Sequence, residues 1–150
     1  MALDDKPKEL TPVEEEQRIS RAMMVWINAN PDLPVARVNY EQLEADTDGM
    51  ALSTIQGARI VRKYIVGGHE GEYQFKLIYR LKPGKSNDAR LTADEVLNAI
   101  GTWAKTNPPA LGDGLRLLSI DATTRGSLFA IYENGDEDHQ ILFNLNYEVI

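Results

Sequence analysis

Residues 72–81 read Glu72-Tyr73-Gln74-Phe75-Lys76-Leu77-Ile78-Tyr79-Arg80-Leu81, and this run decides the fold. Tyr73, Phe75, Leu77, Tyr79 and Leu81 fall on one side of an extended chain. Glu72, Gln74, Lys76 and Arg80 fall on the other, with Ile78 as the one apolar exception. Period-two alternation of aromatic and aliphatic residues predicts a strand with one face on a core and one in water. That division belongs to a central antiparallel strand. The end of the sequence repeats it: Ile141, Phe143, Leu145, Tyr147 and Val149 alternate with Gln140, Leu142, Asn144, Asn146 and Glu148. Phe-x-Leu-x-Tyr occurs in both runs, at Phe75-Leu77-Tyr79 and at Phe143-Leu145-Tyr147.

Each of these strands follows a helix signal. Thr11-Pro12-Val13-Glu14 has threonine at N-cap, proline at N1 and glutamate at N3. Ile19, Ala22, Met23, Trp26 and Ile27 then form an apolar stripe at helical spacing, stopped by Asn30-Pro31. Thr92-Ala93-Asp94-Glu95 offers a second capping box, followed by Val96, Leu97, Ile100, Trp103 and Ala104 and stopped by Asn107-Pro108. Gly101 inside that helix costs roughly 1 kcal/mol relative to alanine and leaves room for close packing on the sheet. Shorter strands are expected at Val35–Tyr40, Met50–Gln56, Arg59–Val66, Leu115–Ile120 and Leu128–Tyr132. Gly67-Gly68 and Asn134-Gly135 mark hairpin turns. The expected fold is therefore α+β, a mostly antiparallel sheet with two helices on one face. Two helix-plus-hairpin halves with matching Trp-x-x-x-Asn-Pro and Phe-x-Leu-x-Tyr signals fit a degenerate duplication. They also fit independent use of common signals. Residues 1–10 read as a flexible arm and 11–150 as a single domain.

Charge is distributed in blocks. The 150 residues carry a net charge of −7. Residues 1–56 carry −6, residues 57–92 carry +5 and residues 93–150 carry −6. A basic hairpin between acidic segments predicts charge pairing, within the fold or between copies. The balance argues against a sequence-specific duplex-DNA reader. The candidate contact residues are Arg59, Arg62, Lys63, Lys76, Ile78, Arg80, His69 and Glu70 on the basic hairpin, with Asp136, Glu137 and Asp138 on the acidic turn.

Chemistry has little to draw on. There is no cysteine, hence no thiolate nucleophile and no thiolate-bound metal. Glu44-x-Asp46-x-Asp48-Gly49 matches the first half of a calcium loop, but Ile55 stands where a bidentate glutamate is required. Pro83-Gly84-Lys85-Ser86 lacks the upstream glycine of a phosphate loop. His69 and His139 fall in or beside turns with acidic neighbours, a weak surface metal site only if the turns meet. No serine has a nucleophile context. No catalytic residue, cofactor or metal is expected. No apolar run reaches the roughly 18 residues of a membrane span, and the first residues are too polar for a signal peptide.

The order of these features resembles the minor capsid or tail-terminator proteins of long-tailed phages. The resemblance rests on several features in sequence. The leading helix has Trp26 and Asn30-Pro31, then Gly57-Ala-Arg-Ile-Val-Arg-Lys-Tyr64 runs into a Gly-Gly turn and the Glu72–Arg80 strand. The Leu97–Trp103 helix follows, and a closing hairpin runs from Glu137-Asp138 to Phe-x-Leu-x-Tyr147-Glu148. It covers roughly residues 12–150 and implies a small subunit of a homo-oligomeric ring, typically a hexamer. Such a ring caps the tail tube, ends its polymerisation and offers a face to the head completion or connector protein. DNA passes through the lumen without specific binding. The implied location is the tail–neck junction of the virion, after assembly in the host cytoplasm. Another neck or head–tail connector component, or a small ligand-binding α+β domain, are the alternative readings.

Overall fold

The computed structural model describes residues 11–150, so the expected N-terminal arm, residues 1–10, lies outside the described residues. Element order is α1 (Pro12–Asn28), β1 (Val38–Tyr40), β2 (Gly49–Lys63), β3 (His69–Leu81), α2 (Asn87–Thr106), β4 (Leu115–Ala122), β5 (Ser127–Ile131) and β6 (Glu137–Val149). The strands form one sheet in the order β1-β2-β3-β6-β4, with β5 also paired to β6. Among the described residues only β1–β2 is parallel. The expected α+β class and antiparallel sheet are what the chain adopts.

The run quoted first is β3, at the centre of the sheet. Its apolar side is the core. Tyr73, Phe75 and Leu77 are fully buried, as are Leu145 and Tyr147, with Ile141 and Phe143 almost so. Burial of each such side chain stabilises by about 1.5–3 kcal/mol. Phe75 lies directly opposite Phe143 in the β3–β6 register, and their rings stack 4.9 Å apart. Trp26 of α1 meets Phe75 edge-on at 6.3 Å and Trp103 of α2 at 5.0 Å. Both helices therefore cover the same face. Trp26 Nε1 also donates to the Asn107 carbonyl at 2.6 Å, tying the first tryptophan to the stop of the second helix.

The repeated signals acquire a geometric meaning here. Because β3 and β6 are antiparallel with Phe75 opposite Phe143, a local two-fold axis through that pair exchanges Leu77 with Leu145 and Tyr79 with Tyr147. On one outer side β2 runs the length of β3. On the other, β4 and then β5 run the length of β6 in the corresponding direction. β2 is irregular between Thr54 and Gly57, and the break between β4 and β5 falls at 123–126. β1 is the addition of the first half. Asn28 holds it by mimicking a strand: its amide accepts from Val38 N–H at 2.8 Å and donates to Val38 O at 3.2 Å.

Several boundaries differ from expectation. Met50–Gln56 and Arg59–Val66 are one strand, Gly49–Lys63, because bulges let it bend without ending. Val35–Tyr40 shortens to three residues. α2 begins after Ser86, whose hydroxyl accepts from Ala89 N–H at 3.1 Å, and Thr92 lies inside the helix. The added turn is held from outside the helix, since Arg90 reaches Glu137 at 2.7 Å and the Gly84 carbonyl at 2.7 Å. The first helix is capped as expected, with Thr11 Oγ1 accepting from Glu14 N–H at 3.2 Å. The space expected of Gly101 is also real, since a Cβ there would lie 3.3 Å from both Ala122 and Ile141.

Candidate interaction surface

The face of the sheet opposite the helices carries Glu72, Gln74, Lys76, Ile78 and Arg80 from β3. Across from them stand Asn146, Asn144, Leu142, Gln140 and Asp138 of β6. All but the buried Asp138 are half-buried. Lys76 Nζ sits 4.9 Å above the Phe129 ring of β5, a cation–π contact on this open face. Phe129 itself is 51% exposed, among apolar neighbours Leu128 and Ile131 that are also exposed. Lys76 and Ile78, both expected at a contact, therefore lie on an uncovered, mixed apolar and polar surface.

Most of the other candidate residues are engaged within the subunit. Arg80 grips Asp138 with two bonds of 2.7 and 2.9 Å, and Tyr132 donates to the same carboxylate at 2.8 Å. The hydrogen bond to Asp138 pushes the Arg80 guanidinium further up from its ordinary value. Arg62 pairs with Glu70 at 2.7 Å and Arg59 with Glu72 at 3.2 Å. The Arg62 bond, then that of Tyr64, holds Glu70 below the usual carboxylate range. Burial, helped by Glu70 and Glu148, pushes the Tyr64 phenol up to about 12.

The acidic turn is not an exposed charge run. Asp136, Glu137 and Asp138 are 2%, 3% and 2% exposed. Asp136 accepts from the Asp46 N–H at 2.9 Å and from Asn134 at 2.9 Å, and these bonds hold it below its usual value. Glu137 is lowered first by Arg90. The aborted calcium-loop motif at 44–49 thus packs on this turn, where Asp46 also pairs with Lys82.

The histidines depart furthest from expectation. His139 is 1% exposed, 2.7 Å from Asp94 of α2 and 3.4 Å from Glu137. His69 begins β3, with Nε2 2.6 Å from the buried Glu15 of α1, a close contact without an aligned hydrogen bond. Glu15 also accepts from Tyr147 Oη at 3.0 Å. Each histidine ties a strand to an acid of a covering helix. His69 is level with Val149 and His139 with Tyr79, at opposite ends of the β3–β6 pair, so the two turns do not meet. Among the described residues no group of three His, Cys, Asp or Glu side chains could hold a metal ion. Sequence reading could not find the Glu15–His69 or Asp94–His139 ties, because each links residues far apart in sequence.

Two further features complete the surface. A groove of about 750 Å3 runs beside α1, lined by residues that include Val13, Glu16, Met24, Val25 and Tyr40. Ser20 in that groove is bound to Tyr73 Oη at 2.7 Å. The β2–β3 turn carries Ile65 and Val66, 105% and 96% exposed. Among the described residues no helix is long and apolar enough to cross a membrane.

No known protein family and no curated protein matches the chain. Among the solved structures that match, one aligns over 95% of this chain and 97% of its own, at 16% identity and a TM-score of 0.46. That likeness carries no functional argument.

Proposed function

We propose that the chain is a structural protein of a long-tailed phage, a tail terminator whose copies form a ring on the end of the tail tube. It acts by assembly and not by catalysis. The ring ends tube polymerisation, offers its other face to the head connector and lets DNA pass, at the tail–neck junction of the virion. The observation that carries this reading is the one-sided cover of the sheet. Helices occupy one face, and the other leaves Lys76, Ile78, Leu142 and Phe129 without a second layer among the described residues. A mixed surface of this kind is what a partner covers. The resemblance in element order supports the same reading. The acidic balance also suits a channel through which DNA slides, since phosphate contacts would hold it.

The test has two parts. Light scattering after size-exclusion chromatography should find a closed oligomer, with hexamers as the expected species. Purified protein added to polymerising tail tubes should stop growth and leave ends competent to join heads. A concentration-independent monomer that neither assembles on tubes nor limits their length would sink the reading. A ring that joins heads but leaves tube length uncontrolled would assign the chain to another neck position.

A further inference from the structure

We propose that Asn134-Gly135 is a deamidation site that the fold holds closed, and that its conversion releases the loop at 44–48 from the β5–β6 turn. This site stands whether or not the chain forms a ring.

Asparagine is a chemically labile residue, and a following glycine makes it more so, because no side chain keeps the glycine nitrogen from the asparagine carbonyl carbon. The reaction is internal. The Gly135 nitrogen bonds to Asn134 Cγ, the Cγ–Nδ2 bond breaks, and ammonia leaves with the proton that the nitrogen gives up. Water then opens the cyclic imide at either carbonyl, which leaves aspartate or isoaspartate. An amide donor becomes a carboxylate, and water is the only reagent consumed.

Both residues are exposed in the turn, so water and base reach them. What the fold withholds is the geometry. Gly135 N–H donates to Tyr132 O at 3.0 Å, so the attacking nitrogen is already engaged. The amide it must attack is held by three bonds. Asn134 Oδ1 accepts from Asp136 N–H at 3.1 Å, while Nδ2 donates to Asp136 Oδ2 at 2.9 Å and to Asp46 Oδ1 at 3.2 Å. Asp136 is itself fixed, being 2% exposed and bound also to the Asp46 N–H at 2.9 Å. Attack requires the Gly135 bond and the grip on the amide to be lost together, so conversion proceeds from a locally opened turn.

The same contacts set the consequence. Among the described residues, every hydrogen bond from residues 44–48 to another element passes through Asp46: its N–H to Asp136, its carboxylate to Asn134 and to Lys82. Conversion removes the donor that Asp46 and Asp136 share and sets a third carboxylate beside them. Lys82 pairs with Asp46 at this place, and Arg80 is committed to Asp138. Like charges this close repel, and the burial of Asp136 limits screening by water. Isoaspartate would also lengthen the backbone of a tight turn. Lost ammonia does not return, so the release is one-way.

Peptide mapping by mass spectrometry of the protein aged in mildly alkaline buffer reads the conversion. The folded parent should keep Asn134 while its urea-unfolded chain converts it. Asp46→Gly removes the carboxylate at a position whose φ of +59° glycine accepts. It should speed conversion in the folded protein by about tenfold, the scale of one charge-assisted bond. Asp46→Asn keeps the side-chain shape and should fall between that variant and the parent. A folded parent that converts as fast as the unfolded chain overturns the closed site, and so do equal rates in the parent and both Asp46 variants. Asn134→Asp, one of the two products, should melt below Asn134→Ala, which loses the bonds without gaining the charge. Its amide hydrogens at 44–48 should exchange faster than the parent's. A product variant that melts no lower than Asn134→Ala, or whose loop exchanges like the parent's, overturns the release.

Discussion

Gly71 shows what a single position on β3 must satisfy. It pairs with Tyr147 in the β3–β6 register, and a Cβ there would fall 2.2 Å from the Tyr147 ring. The ring lies over the glycine so that its hydroxyl can reach Glu15 inside the core. Gly71→Ala should therefore destabilise by about 1–3 kcal/mol, the cost of overpacking a filled site, although alanine suits a strand better. Adding Tyr147→Leu should recover part of the loss relative to Tyr147→Leu alone, measured by urea unfolding. Additive losses would show that the ring does not fill the space. In the sequence Gly71 reads as the end of a glycine-rich turn, because its partner is 76 positions away and no local pattern points to it. The same limit hid the burial of Asp136, Glu137, Asp138 and His139. Local composition marks a turn, while the partners that hold those side chains come from β3, α2 and the 44–49 loop.

Elements were legible where periodicity ran long. β3, β6 and the apolar stripes of both helices lie where their patterns place them, since one buried face imposes its period on the sequence. Boundaries depended on contacts that no period encodes. The start of α2 is the clearest case, because Thr92-Ala-Asp-Glu95 and Ser86-Asn-Asp-Ala89 both present a capping hydroxyl. Arg90 decides between them by binding Glu137 across 47 positions. Ser86→Ala should cost about 1 kcal/mol, the usual loss of an N-cap, while Thr92→Ala should be neutral or slightly stabilising. Chemical denaturation of both variants checks this. The reverse order would place the working cap at Thr92. Strand β2 was split in the sequence reading for a related reason: a bulge spoils alternation without ending the pairing.

At the scale of the whole molecule, the uneven charge serves first to close the fold. The basic segment supplies Arg62, Arg80 and Arg90, and each finds its carboxylate inside the subunit: Glu70, Asp138 and Glu137. What charge remains for neighbours is less than the block totals imply, so the exposed apolar turn and the open sheet face become the stronger candidates for assembly. The internal pairing has a measurable sign. Glu70 and Glu137 are held below the ordinary value of 4.5, and Asp136 below 3.8. Lowered carboxylates add stability that is complete above their unfolded values and is lost as pH falls through the folded ones. The melting temperature attributable to these groups should thus hold from neutrality to about pH 5 and decline below about pH 4.5. Glu137→Gln should melt below the parent at pH 7, because Arg90 loses its ionic partner. The gap should narrow as the parent's own Glu137 becomes protonated. Melting curves of the two proteins from pH 7 to about pH 3 decide the matter, and a gap that stays constant across that range would mean that folding does not lower the Glu137 pKa.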